Sequence, residues 1–226
     1  FARANVLHKE KNYAESSRYI KLANKLKLIL QPSNADNLIN QSKVLLTESN
    51  KQEINQKKYV ESSQSIFIVG MPRSGSTLLE SILSMNNIVN DLGETAILNE
   101  SFLDYTKNNQ ILTLAERYWG EIKDSKEQSN ITTDKNLYNY QFAGIIAKKI
   151  PNAKIIHCYR NPLDNILSIY RTHFAAGNEY SSYSSSLVDC ARVYLDQENI
   201  MKEYKNRFRS KIYDLNYNKL VSNPHQ

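Results

Sequence analysis

The stretch Phe67–Leu83, "FIVGMPRSGSTLLESIL", sets an apolar run, a glycine-bounded turn and an amphipathic segment end to end. Ile66 to Val69 read as a buried strand, and Leu78, Leu79, Ile82 and Leu83 as one face of a helix. Between them lies G-x-x-x-x-G-S-T, one residue away from the G-x-x-x-x-G-K-[ST] loop that cradles nucleoside triphosphates. Ser76 stands where that loop has its lysine. A strand, turn and helix in this order aim several backbone N–H groups at one point, at the positive end of the helix dipole. Gly70 and Gly75 let the backbone curl close to an anion. Ser76 and Thr77 add hydroxyl donors, and the planar fork of Arg73 supplies a cation inside the loop. Loss of the lysine disfavours a triphosphate and points to an anion with less charge at this end.

The 226 residues suffice for one α/β domain with a small appendage and a sizeable core. Hydrophobic residues make up 41% and charged residues 23%, and mean hydropathy is −0.56, which is globular. No apolar run approaches the ~20 residues that span a bilayer. The chain opens on Phe1 with no signal-peptide core behind it, so the expected true start lies upstream. A net charge of +6 and a pI near 9.1 fit an anionic ligand or a solvated basic face. The lysines are scattered and no nucleic-acid motif appears, which sets nucleic acid aside. Cys158 and Cys190 lack neighbours at metal-ligand spacing and read as core thiols in a reducing, cytoplasmic compartment.

Residues 10–50 read as a helical hairpin broken at Pro32, with Ser33 or Asn34 able to cap its second helix. Tyr19, Leu22, Ala23, Leu26 and Ile29 have the spacing of a buried face. The polar stretch 47–64 reads as a connection, which puts the boundary near residue 60: a helical segment and linker over 1–60, the main domain over 61–226. From Ser65 short apolar runs alternate with longer amphipathic ones, the pattern of a parallel sheet wrapped by helices. The expected strands are "SIFIVG", "NITT", "AKIIHCY" and "KIYDLN". Tyr138, Phe142, Ile145 and Ile146 share one helical face, and Pro151 ends that helix. Another helix starts at Pro162 with Leu163, Ile166, Leu167 and Tyr170 inward. A long helix carries Leu187, Cys190, Ala191, Tyr194, Leu195, Met201, Tyr204 and Phe208 on its buried side. Arg160 follows "KIIHCY" directly, at the carboxyl end of the sheet where open α/β folds bind ligands. Arg160 and Ser168 can address one phosphate together, while Asp164 caps the helix or orients Arg160. Taken alone, this pair reads rather as a surface arginine and a solvated serine; beside the glycine-bounded loop the phosphate site is preferred.

"PRSGSTLLE" resembles the 5′-phosphosulfate loop of sulfotransferases that use 3′-phosphoadenosine-5′-phosphosulfate (PAPS). The resemblance continues in order through "LGETAIL", "TTDKNLYNYQFAGII", "PNAKIIHCYRNPLDNILSIYRTHF" and "NYNKLVSNP". It covers residues 62–226 well and is most similar to bacterial sulfotransferases with N-terminal tetratricopeptide repeats, relatives of the protein-tyrosine sulfotransferases. It implies a P-loop-like three-layer α/β core preceded by a repeat-like hairpin that can recruit a protein partner. It also implies transfer of a sulfuryl group from PAPS to an acceptor hydroxyl, without metal. A phosphosulfate end carries less charge than a triphosphate, so a loop of N–H donors and one arginine suffices without the lysine.

By the same resemblance Arg73, Ser74, Gly75, Ser76 and Thr77 hold the 5′ end, Arg160 and Ser168 the 3′-phosphate, and Tyr217 contacts the nucleotide. Glu94 is the general base and Lys135 steadies the departing phosphate beside Arg73. From the residues alone, Glu94 is also a helix cap, Lys135 a solvated lysine and Tyr217 a core residue. His157, in an apolar strand, reads as a satisfied core histidine, and His173 is an alternative base. Arg171 lies near the same anion. Ser76 for the usual threonine keeps the hydroxyl. The family continues past "NYNKLVSNP" into a basic, glycine-containing stretch, so the sequence is expected to be truncated there. The acceptor (peptide tyrosine, glycan or small molecule) is shaped by segments 98–130 and 174–187. A small-molecule kinase and an inactive binding module are the alternatives.

Overall fold

The computed structural model describes residues 1–51, 64–107, 112–125, 131–175, 177 and 179–223. Three helices open the chain: α1 (Ala2–Lys9), α2 (Tyr13–Leu30) and α3 (Ala35–Asn50). There follow β1 (Gln64–Gly70), α4 (Ser76–Leu83), β2 (Val89–Asp91), α5 (Ile97–Lys107), α6 (Leu114–Ser125) and β3 (Ile131–Asp134). A 3-10 turn at Leu137–Tyr140 leads into α7 (Ala143–Lys149), then β4 (Lys154–Tyr159), α8 (Pro162–Arg171), α9 (Leu187–Arg207), β5 (Ile212–Asn216) and α10 (Tyr217–Ser222).

The five strands form one sheet in the order β2-β3-β1-β4-β5, every pair parallel. Helices flank it, as the alternating pattern predicts. β1 is central, and Phe67, Ile68 and Val69 are wholly buried, which is why its sequence is continuously apolar rather than alternating. The chain runs outward from β1 to β2 and β3 on one side, then crosses back to β4 and β5 on the other. At such a reversal the loops leaving neighbouring strands diverge and open a crevice at the carboxyl ends. The loops after β1 and β4 flank it.

Both the 3-10 turn and α7 bury Tyr138, Phe142, Ile145 and Ile146 together, as their spacing predicts. Elsewhere several expected faces are rotated. On α2 the buried line is Ser16, Ile20 and Asn24, while Leu22, Leu26 and Ile29 face outward. Polar contacts set that rotation: Asn24 Nδ2 donates to the Tyr170 carbonyl at 2.9 Å, and Lys27 Nζ to that of Phe174 at 2.9 Å. On α4 Leu78 and Ile82 are exposed and Glu80 is buried beside Leu79. On α8 Asn165 and Ile169 turn inward, and Leu163 and Leu167 outward. Leu187 and Leu195 of α9 are exposed, with Val193, Gln197 and Ile200 in their place. In each helix a polar side chain with an inward partner displaces a leucine from the core-facing line.

α1 and the short β2 were not expected from the sequence. The hairpin packs on the sheet's helical layer: Gln141 Nε2 donates to the Leu38 carbonyl at 3.0 Å and to Ser42 Oγ at 2.9 Å. Arg207 donates to the Ser49 carbonyl at 2.9 Å. Most of the expected connection, residues 52–63, lies outside the described residues. No helix among the described residues is long and apolar enough to cross a membrane.

Candidate active site

The turn from β1 into α4 is held in an unusual backbone geometry. Arg73 has φ +69°, a left-handed conformation that costs a non-glycine residue on the order of 1 kcal/mol and persists where surroundings impose it. Gly75, at φ +94°, is the N-cap of α4. Asn165, buried on α8, braces the turn by donating from Nδ2 to the Pro72 carbonyl at 3.0 Å. Ser74 and Ser76 are buried and Thr77 is exposed. The Ser74 hydroxyl has no hydrogen-bond partner among the described residues, although a buried hydroxyl ordinarily has one.

Arg73 Nε donates to Ser168 Oγ at 3.3 Å, so the loop after β1 meets the second turn of α8. Both line a cavity of about 640 Å³ with Arg160, Asp164, Arg171, Thr172, His173 and Asn5. Arg160 is 27% exposed at its side chain, and its guanidinium lies 3.9 Å from the Asp164 carboxylate. Its Nε is buried without a partner among the described residues. The other face of the guanidinium sits 5.1 Å from the ring centre of Tyr217. Asp164 is not the helix cap; that falls to Asn161, whose side chain accepts from the N–H groups of Leu163 and Asp164. Three arginines around one open cavity, with an orphaned guanidinium N–H and an orphaned hydroxyl nearby, fit a multiply charged anion.

The second constellation stands at the neighbouring strand ends, after β2 and β3. Lys135 is 6% exposed and donates from Nζ to Glu94 Oε1 at 3.0 Å. Glu94 itself is 49% exposed at its side chain. It is not the cap of α5; Thr95 Oγ1 accepts from Ile97 N instead. Asn136 Nδ2 donates to the Thr95 carbonyl at 3.0 Å and ties the Glu94 turn to the end of β3. Glu94 and Lys135 do not line the arginine cavity. Among the described residues no cluster of His, Cys, Asp and Glu is arranged as metal ligands.

His157 is buried on β4 as a satisfied core histidine: Nδ1 lies 3.0 Å from Asp214 Oδ1, and Nε2 2.6 Å from the Gln197 side-chain amide. His173 lines the arginine cavity, with its ring 5.1 Å from that of Phe1.

A family model described as "Sulfotransferase family" matches residues 65–226. The chain belongs to the sulfotransferase family. An uncharacterized protein of Aquifex aeolicus (strain VF5) is 29% identical over 186 residues, covering 73% of this chain and 24% of that protein. The chain therefore spans about a quarter of the length of that curated relative. Among solved structures, the sulfotransferase domain from the curacin biosynthetic pathway shares the fold at a TM-score of 0.50 and 17% identity, over 73% of this chain and 70% of that one. Sulfotransferase STF9 from Mycobacterium avium gives a TM-score of 0.42 at 12% identity, over 73% of this chain and 62% of that one.

Two carboxylates near these site residues were missed in the sequence. Glu80 ends the segment "PRSGSTLLE", where the sequence assigns it no role, and it is 7% exposed. Asp134 is wholly buried, and burial pushes its carboxyl up to about 7 against donors from Asn136 N, Asn139 Nδ2 and Tyr118 Oη. An Asp directly before Lys135, at the end of a strand candidate, is the hint that the sequence offers. Asn165 was equally silent, since its partner is a backbone carbonyl far along the chain.

Proposed function

We propose that this chain transfers a sulfuryl group from PAPS to an acceptor hydroxyl in a single in-line step, without a metal ion. The observation that carries the proposal is the meeting of Arg73 and Arg160 in one cavity, with Arg73 Nε 3.3 Å from Ser168 Oγ. The loop Arg73–Thr77 would hold the 5′-phosphosulfate through its N–H groups and the free Ser74 hydroxyl. Arg160 and Ser168 would hold the 3′-phosphate, and Tyr217 would pack against the nucleotide and the Arg160 guanidinium. The phosphosulfate supplies the electrophilic sulfur and a phosphate leaving group.

Glu94 would accept the proton of the attacking hydroxyl. The Lys135 ammonium and the Arg73 guanidinium would stabilise charge as it gathers on the bridging oxygen of the departing phosphate. Their 3.0 Å contact supports a shared station in which Lys135 holds the Glu94 carboxylate until an acceptor arrives. The acceptor is a hydroxyl compound such as a peptide tyrosine, a glycan or a small molecule.

Sulfate transfer from labelled PAPS to a panel of such acceptors tests the proposal directly. Glu94→Gln should lower turnover at least 100-fold with adenosine 3′,5′-bisphosphate affinity within twofold of wild type. Loss of bisphosphate binding in the same variant counts against its role as base. Stabilisation by ATP with none by the bisphosphate would favour a kinase, and binding of neither an inactive module.

A further inference from the structure

Glu80 is buried on the second turn of α4. A carboxylate buried there is costly unless it is paired and hydrogen-bonded. Its Oε1 accepts from Thr133 Oγ1 at 3.3 Å, and its Oε2 lies 3.7 Å from Lys135 Nζ. Burial raises the Glu80 carboxyl, while the Lys135 ammonium and the Thr133 hydroxyl oppose that push. Lys135 therefore has two carboxylates of different character: an exposed one at 3.0 Å, Glu94, and a buried one behind it, Glu80.

We propose that Glu80 is a positioning residue that acts through Lys135, a fixed counter-ion that keeps the ammonium at the end of β3 when Glu94 changes its charge. The functional consequence rests on the sulfotransferase proposal above. There, Glu94 takes the acceptor proton and becomes neutral while the leaving phosphate oxygen gains charge. Lys135 then loses its attraction to Glu94 at the moment its ammonium is needed in place. Glu80 takes no proton from the substrate. Anchored to Thr133, it holds the ammonium from behind and stops it from following the departing anion out of the site. α4 thereby links the phosphate-binding turn at its first residue with the leaving-group lysine one turn later.

Lysine-selective ¹⁵N NMR gives a readout that does not depend on turnover. The Lys135 ammonium, assigned by its loss in Lys135→Met, is expected to exchange slowly with solvent in the wild-type chain. In Glu80→Gln, which keeps an acceptor for Thr133, its exchange should accelerate at least tenfold. Glu80→Asp keeps the charge one methylene further away and should give an intermediate rate, and it serves where the Gln variant folds poorly. An unchanged Lys135 signal in both variants overturns the proposal. In sulfate transfer, Glu80→Gln should lower kcat about tenfold with the KM for PAPS within twofold, and add nothing to the loss in Lys135→Met. Full additivity of the two substitutions also overturns it. A wild-type chain without sulfate transfer would reject the sulfotransferase proposal alone and leave the ammonium measurement to decide the role of Glu80.

Discussion

The ring of Tyr217 lies over Gly75 so closely that a Cβ added to the glycine would stand 2.2 Å from Tyr217 Cδ2. The same ring faces the Arg160 guanidinium at 5.1 Å. The first residue of α10 therefore joins the turn after β1 to the arginine after β4. Asn216 sets this up as the N-cap of α10, accepting from Lys219 N at 3.0 Å.

Gly75 is constrained twice, by φ +94° and by the Tyr217 ring. Gly75→Ala is expected to cost about 1–3 kcal/mol through strain and overpacking, and to weaken bisphosphate binding at least tenfold. The double variant Gly75→Ala/Tyr217→Ala should recover part of the stability, because the clash is gone while the φ strain remains. Thermal melting and calorimetry decide it; a wild-type Tm in the single variant contradicts the packing.

Arg160→Ala should weaken adenosine 3′,5′-bisphosphate binding at least tenfold. Arg160→Lys should restore little, since a point charge cannot keep both the Asp164 contact and the stacked face over Tyr217. Titration calorimetry of the three chains is the measurement. An unchanged Kd in Arg160→Ala removes the 3′-phosphate assignment.

The Asp134 carboxyl, ordinarily near 3.8, is pushed up to about 7 by burial. Below pH 4 the folded and unfolded chains both hold its proton. Between pH 4 and 7 the unfolded chain releases the proton and the folded chain keeps it, so this group's contribution to stability falls as pH rises, by at most roughly 4 kcal/mol. Asp134→Asn should flatten that decline. Urea melts from pH 4 to 8 test it, and equal slopes in both chains would contradict it.

Asp214 works in the opposite direction at lower pH. The His157 hydrogen bond and Lys205 hold its carboxyl down at about 2. Its contribution is present above its ordinary value near 3.8 and is lost as pH falls through about 2. Asp214→Asn should therefore be destabilised most clearly at pH 5–7 and converge with wild type near pH 2. A constant difference down to pH 2 would assign the effect to packing alone.

Burial pushes the Cys158 and Cys190 thiols up to about 12. At pH 8 neither is expected to react with iodoacetamide in the folded chain within hours, and both should react once urea unfolds it. Mass spectrometry reads the count, and rapid labelling of native protein would refute the buried placement.

The parallel sheet could be anticipated, though not its strand order, because a strand covered on both faces is continuously apolar, and Ile66–Val69 announces that locally. The turn was legible for a similar reason: two glycines, an internal arginine and Ser76–Thr77 at a helix start are chemical requirements met within one short segment. The short β2 escaped notice since three half-exposed residues carry no periodicity.

Helix rotation escaped for a different cause. Leucines at helical spacing on α2, α4 and α8 suggest a buried face, yet Asn24, Glu80 and Asn165 take the inward positions. Their partners, the Tyr170 carbonyl, Thr133 with Lys135, and the Pro72 carbonyl, come from remote segments. Sequence alone determined the parallel α/β core, the glycine-bounded turn after its first strand and the residue types around it, because those follow from nearest-neighbour chemistry. Only the tertiary structure decided that Arg73 meets Ser168, that Tyr217 covers Gly75, and that Lys135 stands between Glu80 and Glu94. Each of those pairings joins residues far apart in the chain, with a partner that local sequence does not specify.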